Sequence, residues 1–171
     1  MISLVACSGP KGEKVTLESE TCEGDDVMLI ADFYYPANAG IIVIGDDEYP
    51  NWKVFQNEKE NYELSISLFE DTTFDYHQEA DKKNEATYSE FKVGPYDAYG
   101  YESFGGYYIY IHLEEVSENT DRYIVADIGR IRFGEDEPKG IDAYHENKVA
   151  KSIVESLVYN GVVSIESVSA E

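Results

Sequence analysis

The sequence predicts an α+β fold, an antiparallel β-sheet flanked by helices, and three observations predict it. Short segments alternate apolar and polar residues with period two. In 62–68, for example, Tyr62, Leu64, Ile66 and Leu68 alternate with Glu63, Ser65 and Ser67. One later segment instead carries a stripe of helical period, formed by Val149, Ala150, Ile153, Val154, Leu157 and Val158. A chain of 171 residues suits one domain. At that size folding buries about 70 % of the unfolded surface, so no disulfide framework is needed.

Val15 and Leu17, alternating with Thr16 and Glu18, open the strand series. Residues 27–35 form a richer run, closed by Pro36 and an Asn38-Ala39-Gly40 turn. Ile41-Ile42-Val43-Ile44 reads as a short buried strand ended by Gly45-Asp46-Asp47, and 52–56 leads into a polar turn at 57–61. After the strand at 62–68, Thr72-Thr73-Phe74-Asp75 resembles a capping box. It opens a short polar helix to about Lys83, where Lys82 and Lys83 suit the negative helix end. Strands at 88–93, 96–102, 107–113 and 123–133 follow. The apolar stripe places the clearer helix at about 144–159, with Asp142 as its cap and Asn160-Gly161 as a left-handed stop. Residues 162–168 then add a strand or a tail.

The hairpin 96–113 allows a firmer inference. Its turn falls within Ser103-Phe104-Gly105-Gly106, and an even-numbered loop puts Tyr99, Tyr101, Tyr108 and Tyr110 on one face. Aromatic rings in such a row can grip a partner, each offering an apolar body with a polar tip. Tyrosine pairs also simply stabilise hairpins, and a helix could cover the face. The opposite face carries Ala98, Gly100, Tyr107, Ile109, Ile111 and Leu113 and is core-like, with small residues that leave room for a helix.

At the start of the chain, Leu4-Val5-Ala6-Cys7 has the pattern of a bacterial lipobox, followed by the polar stretch Ser8-Gly9-Pro10-Lys11-Gly12. This predicts a lipid on Cys7 and a tether through residue 13, with the folded domain at 14–168. Only six residues precede Cys7, fewer than a secretory signal needs. Either the true start lies upstream of Met1 or the match is chance; on the lipobox pattern the expected location is extracytoplasmic, on the bacterial cytoplasmic membrane through a lipid anchor. The alternative is a cytoplasmic protein with a genuine start at Met1. Cys22 is then a lone thiol, and Glu20, Glu23, Asp25 and Asp26 should hold its pKa up.

The formal net charge is −22, and it is uneven. From Val15 to Trp52 there are nine acids and no Lys or Arg, and from Val93 to Asp121 six acids and again no base. Such a surface repels phosphate backbones and anionic headgroups, so no nucleic-acid partner is expected, and it attracts basic proteins. The acidic turns Asp46-Asp47-Glu48 and Glu135-Asp136-Glu137 lack the alternating pattern of a calcium loop, and no metal site is predicted. His145-Glu146 lacks the second histidine of a helical zinc motif, and His77 and His112 stand apart. Gly129-Arg130-Ile131-Arg132-Phe133-Gly134 is no phosphate loop. With no complete catalytic set and no cofactor motif, the expectation is a non-enzymatic domain without a cofactor.

The order of the elements resembles the PsbP-like fold family, which includes small bacterial lipoproteins. The resemblance runs from about Lys14 to Asn160 and rests on several stretches. These are Tyr35-Pro36 with Gly40-Ile41, the strand 62–68, Phe91-Lys92-Val93-Gly94 with Tyr96 and Tyr99-Gly100-Tyr101, and the terminal Ile153-Val154-Glu155-Ser156-Leu157. It implies an α/β/α sandwich with no common catalytic set, whose members mostly bind other proteins. The resulting expectation is an accessory domain that engages a protein with a basic surface. The alternative is a cytosolic acidic inhibitor or immunity-type protein that blocks such a partner.

Overall fold

In the computed structural model, residues 12–24, 27–45, 48–129, 131 and 144–164 are described. In chain order the strands and helices begin with β1 (Glu13–Glu20), β2 (Val27–Tyr35), β3 (Ile42–Ile44), β4 (Trp52–Asn57) and β5 (Tyr62–Asp71). They continue with α1 (Phe74–Asn84), β6 (Ser89–Val93), β7 (Tyr96–Ser103), β8 (Gly106–Ser117) and β9 (Thr120–Gly129). The last two are α2 (Lys148–Glu155) and β10 (Val158–Ser164), with one helical turn at 144–146 before them.

The strands form two antiparallel sheets. The larger has the order β3-β4-β5-β9-β8-β7-β6 and the smaller β1-β2-β10. Two meanders, β3 to β5 and β6 to β9, are joined where β5 pairs with β9. The chain thus leaves the large sheet at β5 and re-enters at the far edge, and α1 is the link that crosses the outer face.

The inner face of the large sheet presents Leu64, Ile66 and Leu68 of β5, Ile109 and Ile111 of β8, and Ile124, Ala126 and Ile128 of β9. These pack against Leu17 of β1 and Leu29, Ala31 and Phe33 of β2, in one continuous core. The period of two in β5 and β9 is what delivers every second side chain to this layer. Each fully buried aliphatic side chain of this kind contributes roughly 1.5–3 kcal/mol relative to exposure. Helix α2 closes one part of the layer with Ala150, Ile153 and Val154. The Asn147 side chain caps it, accepting from the backbone N–H groups of Val149 and Ala150 at 3.1 and 2.9 Å. Asp142, the cap expected from sequence, lies outside the described residues.

This arrangement corrects the α+β expectation, and with it the helix-flanked α/β/α sandwich that the PsbP-like resemblance implies. Of the described residues 57% are strand and 16% helical, and the fold is a β-rich sandwich. The error has a physical origin at 158–164. Val158 continues the helical spacing of the stripe, but Val158 and Tyr159 belong to β10 and pair with Asp32 and Ala31 of β2. The helix ends at Glu155, and Gly161, at φ +73°, serves a register shift in β10 rather than a helix stop. Sheet, not helix, therefore covers most of the inner face.

The space above Gly100 is also filled differently from expectation. A Cβ there would lie 2.7 Å from the Tyr107 hydroxyl oxygen, so the room left by the small residue is taken by the ring of Tyr107.

Candidate binding face

The outer face of the large sheet is built by strand register. One row of opposed residues runs Tyr101, Tyr108, Asp127, Ser65, Val54, Ile44 across six strands. Beside it run Tyr99, Tyr110, Val125, Ser67, Trp52 and, on the other side, Gly129, Glu63, Gln56, Ile42. The four tyrosines expected on one face are brought together. Their hairpin closes through a two-residue loop, with Ser103 opposite Gly106 and both Phe104 (φ +51°) and Gly105 (φ +81°) in the left-handed region. Such loops match the twist of the flanking strands, and the even count fixes the shared face.

The rings form a stack. Tyr99 and Tyr110 lie 4.9 Å apart and 3° from parallel, and Tyr101 and Tyr108 are 5.6 Å apart. Helix α1 covers one half of this stack. Phe74, its one buried residue, meets Tyr99 edge-on at 5.2 Å, and His77 lies 5.9 Å from Tyr110. Tyr99 is fully buried and donates its hydroxyl to Asp81 at 2.9 Å. Tyr101 is buried as well, while Tyr108 and Tyr110 are half-buried. Burial, together with neighbouring acids and tyrosines, pushes the pKa of Tyr99 and Tyr101 well up, so both stay neutral hydroxyls. Tyr99 is thus floor, Tyr110 lies between that floor and His77 of the helix, and Tyr108 holds the open side.

Beyond the helix the outer face exposes apolar side chains at its β3–β4 edge, while Val54, in the central row, is buried. Ile42, Ile44 and Trp52 expose 57%, 42% and 36% of their surface. The Trp52 indole N–H donates to Ser65 Oγ at 2.8 Å, which sets the ring beside the central row. Next to it is a cavity of about 260 Å³ lined by Glu63, Ser65, Asp127, Gly129 and Ile131. Burial and the charge of Glu63 push the Asp127 carboxyl up to about 6. Trp52 and Asp127 were not singled out by sequence. Parity was an available signal for Asp127, which falls on the outward side of β9 opposite Ile124, Ala126 and Ile128, but not for Trp52, because the other side of β4 carries Lys53, Phe55 and Asn57.

The remaining expected residues are dispersed. His77 meets Thr72 Oγ1 at 2.9 Å, His112 stands 3.5 Å from Asp121, and His145 rests against Tyr107 and Tyr144. Asp121 also accepts from the Phe74 N–H at 2.6 Å, so a strand residue, not the side chain of Thr73, caps α1. Among the described residues, no three His, Cys, Asp or Glu side chains gather as metal ligands. Cys7, Asp46, Asp47 and the acidic turn 135–137 lie outside the described residues.

Among the described residues, no helix is long and apolar enough to cross a membrane. No family model, curated protein or solved structure matches the chain, so the PsbP-like likeness stands on sequence pattern alone.

Proposed function

We propose that this chain is a non-enzymatic binding domain that engages a protein with a basic surface through the open half of its outer sheet face. The observation that carries the reading is the juxtaposition of exposed Ile42, Ile44 and Trp52 with half-buried Tyr108 and Tyr110, in a chain of net charge −22. Aromatic and aliphatic side chains supply contact area, and the surrounding acids favour a cationic partner and speed its approach. Neutral glycans would use the rings but gain nothing from the charge. The proposal includes the lipid on Cys7, which holds the domain outside the membrane.

The test is site-specific photocrosslinking from position 52, followed by affinity measurement with the captured partner. Binding should weaken as salt rises, and a Trp52→Ala, Tyr108→Ala double variant should weaken it by at least about tenfold, the effect of losing two contact rings. Salt-independent binding, or crosslinks only from the small sheet, would overturn the reading. For the anchor, expression of the native gene in a Gram-positive host should place the protein in a detergent phase, and Cys7→Ala should release it. An intact unacylated Met1–Cys7 segment on the native protein would leave the cytosolic inhibitor reading instead.

A further inference from the structure

A second cavity, of about 270 Å³, lies on the inner side of the large sheet, between the edge strand β6 and helix α2. Its floor is aromatic. Tyr107 and Tyr144 are both buried, with ring centres 5.5 Å apart, and the His145 ring lies 5.8 and 5.4 Å from them. Half-buried Phe91 of β6 forms one wall. The Tyr107 hydroxyl has only a long contact, 3.5 Å, with Ser89 at the same cavity. Tyr144 is 3% exposed. Among the described residues its hydroxyl has no hydrogen-bond partner, yet it is not sealed from solvent. The little of Tyr144 that stays accessible therefore includes the hydroxyl, which opens on the cavity that the residue lines. Burial, then the charges of Glu155 and Tyr107 beside the cavity, push its pKa up, so it remains a neutral donor and acceptor.

The strand edge adds main-chain groups. Among the described residues β6 pairs only with β7, and the two-residue connection 94–95 makes Val93 and Tyr96 the closing pair. Bonded and non-bonded pairs alternate from there, so Glu90 and Lys92 turn their N–H and C=O groups away from β7. Their side chains go to the outer face, Glu90 to Lys82 and Tyr88, and Lys92 to Asp97. What borders the cavity at these two positions is main chain. Across the mouth, Lys151 and Glu155 of α2 form a partly exposed ion pair at 3.8 Å.

We propose that this cavity binds a single neutral sugar ring. Its volume falls just under the roughly 300–1,000 Å³ of sites for drug-sized ligands, which suits one ring with its substituents. The aromatic side chains offer flat apolar faces to the C–H side of a pyranose. The hydroxyls of Ser89 and Tyr144, the edge N–H and C=O groups and the Lys151–Glu155 pair offer donors and acceptors together, as a polyhydroxyl ligand requires. A buried hydroxyl without a partner gains most from such a contact. Charge favours a neutral ligand, because the net −22 of the chain repels anions and Lys151 at the mouth opposes cations. A purely aromatic ligand would leave most of these polar groups unused. The site lies away from the outer face and is independent of the partner engaged there.

The isotope-labelled full chain is titrated with glucose, galactose, mannose and N-acetylglucosamine, and separately with phenol, while backbone amide shifts are followed by NMR. We expect saturable shifts from at least one sugar, centred on β6 and residues 144–155, with a Kd of about 1–10 mM. Tyr144→Phe keeps the ring and removes the hydroxyl, and it should weaken binding by at least about threefold, the effect of one lost hydrogen bond. Lys151→Met should do the same, while Lys148→Ala, exposed on the same helix, should leave affinity unchanged. Amide spectra that match wild type away from β6 and α2 establish that each variant is folded. No saturable shift with any of the sugars, shifts centred elsewhere, or wild-type affinity in either weakening variant overturns the proposal. Phenol bound at the cavity more tightly than every sugar overturns it as well.

Discussion

Arg122 Nε donates to Glu70 Oε2 at 2.6 Å, with the two side chains only 4% and 3% exposed. The other guanidinium nitrogens reach Glu114 Oε2 at 2.9 Å and Glu23 Oε1 at 2.6 Å. Tyr159 of β10 donates to the same Glu114 oxygen at 2.7 Å. One cation therefore ties β5, β8 and β9 to the β1–β2 turn, and through Glu114 to β10. Burial alone would lower the guanidinium pKa, and the glutamates more than reverse it.

Arg122→Met should consequently destabilise the fold by about 3–5 kcal/mol in urea denaturation, because Glu70 would be left buried without a counter-charge. Arg122→Met combined with Glu70→Leu should recover at least half of that loss, since an apolar pair removes the stranded charge. A single-variant loss under about 1 kcal/mol would mean that water reaches Glu70.

The same cluster sets an acid limit. Burial raises the Glu70 pKa, but hydrogen bonds from Cys22 and from Arg122 outweigh it and leave the carboxyl below its ordinary value. Its contribution is therefore complete above the usual glutamate range, near about 4.3, and is lost as pH falls through the lowered value. Unfolding measured against pH should show stability falling below about pH 4.5, with a shallower fall in the Arg122→Met, Glu70→Leu variant.

How much of this was legible depends on distance along the chain. The shared tyrosine face followed from parity within one hairpin, where Tyr99 opposes Tyr110 and Tyr101 opposes Tyr108. The polar helix beginning near Thr73 was legible too, from its local start and its terminal lysines. Its docking place was not, because it depends on the β5–β9 pairing, which no local pattern encodes. The second sheet was hidden for a related reason. Val158 continues a helical spacing, and only its pairing with Asp32 of β2 makes the segment a strand. For the ion cluster, one signal was present: Arg122 is the first base after the base-free stretch ending at Asp121. Nothing local shows that three distant glutamates converge on it.

Ile153 should be a strong core position. It is fully buried between α2 and the sandwich interior. Ile153→Ala removes buried methyl groups and leaves a cavity, so it should destabilise by about 2–5 kcal/mol in urea denaturation. Lys148→Ala, at the start of the same helix and exposed, should change stability by less than about 0.5 kcal/mol. Equal effects would show that α2 is peripheral to the core.

Cys22 should be a slow nucleophile despite its exposure. A hydrogen bond to Glu70, then desolvation and the charge of Glu70, raise its thiol pKa. The direction matches the sequence expectation, but the principal acid is a distant residue rather than the neighbours Glu20, Glu23, Asp25 and Asp26. Alkylation of a Cys7→Ala chain at about pH 8 should be several-fold slower when folded than in urea, because the thiolate fraction falls as pKa rises. A folded-state rate equal to that in urea would show that Glu70 does not engage the thiol.

Asp127 should weaken the fold that carries it. Burial and Glu63 raise its carboxyl to about 6, against about 3.9 in the unfolded chain. The sign is opposite to that of Glu70. The folded state holds the proton more tightly, so the stabilising contribution is full below about pH 4 and lost as pH rises through about 6. At about 1.4 kcal/mol per pKa unit, and discounted for partial solvent access, Asp127→Asn should be more stable than wild type by about 1–2 kcal/mol near pH 7.5. The difference should vanish below about pH 3, where the wild-type carboxyl is protonated in both states. If the asparagine variant is instead less stable near pH 7.5, the carboxylate has a stabilising partner within the chain.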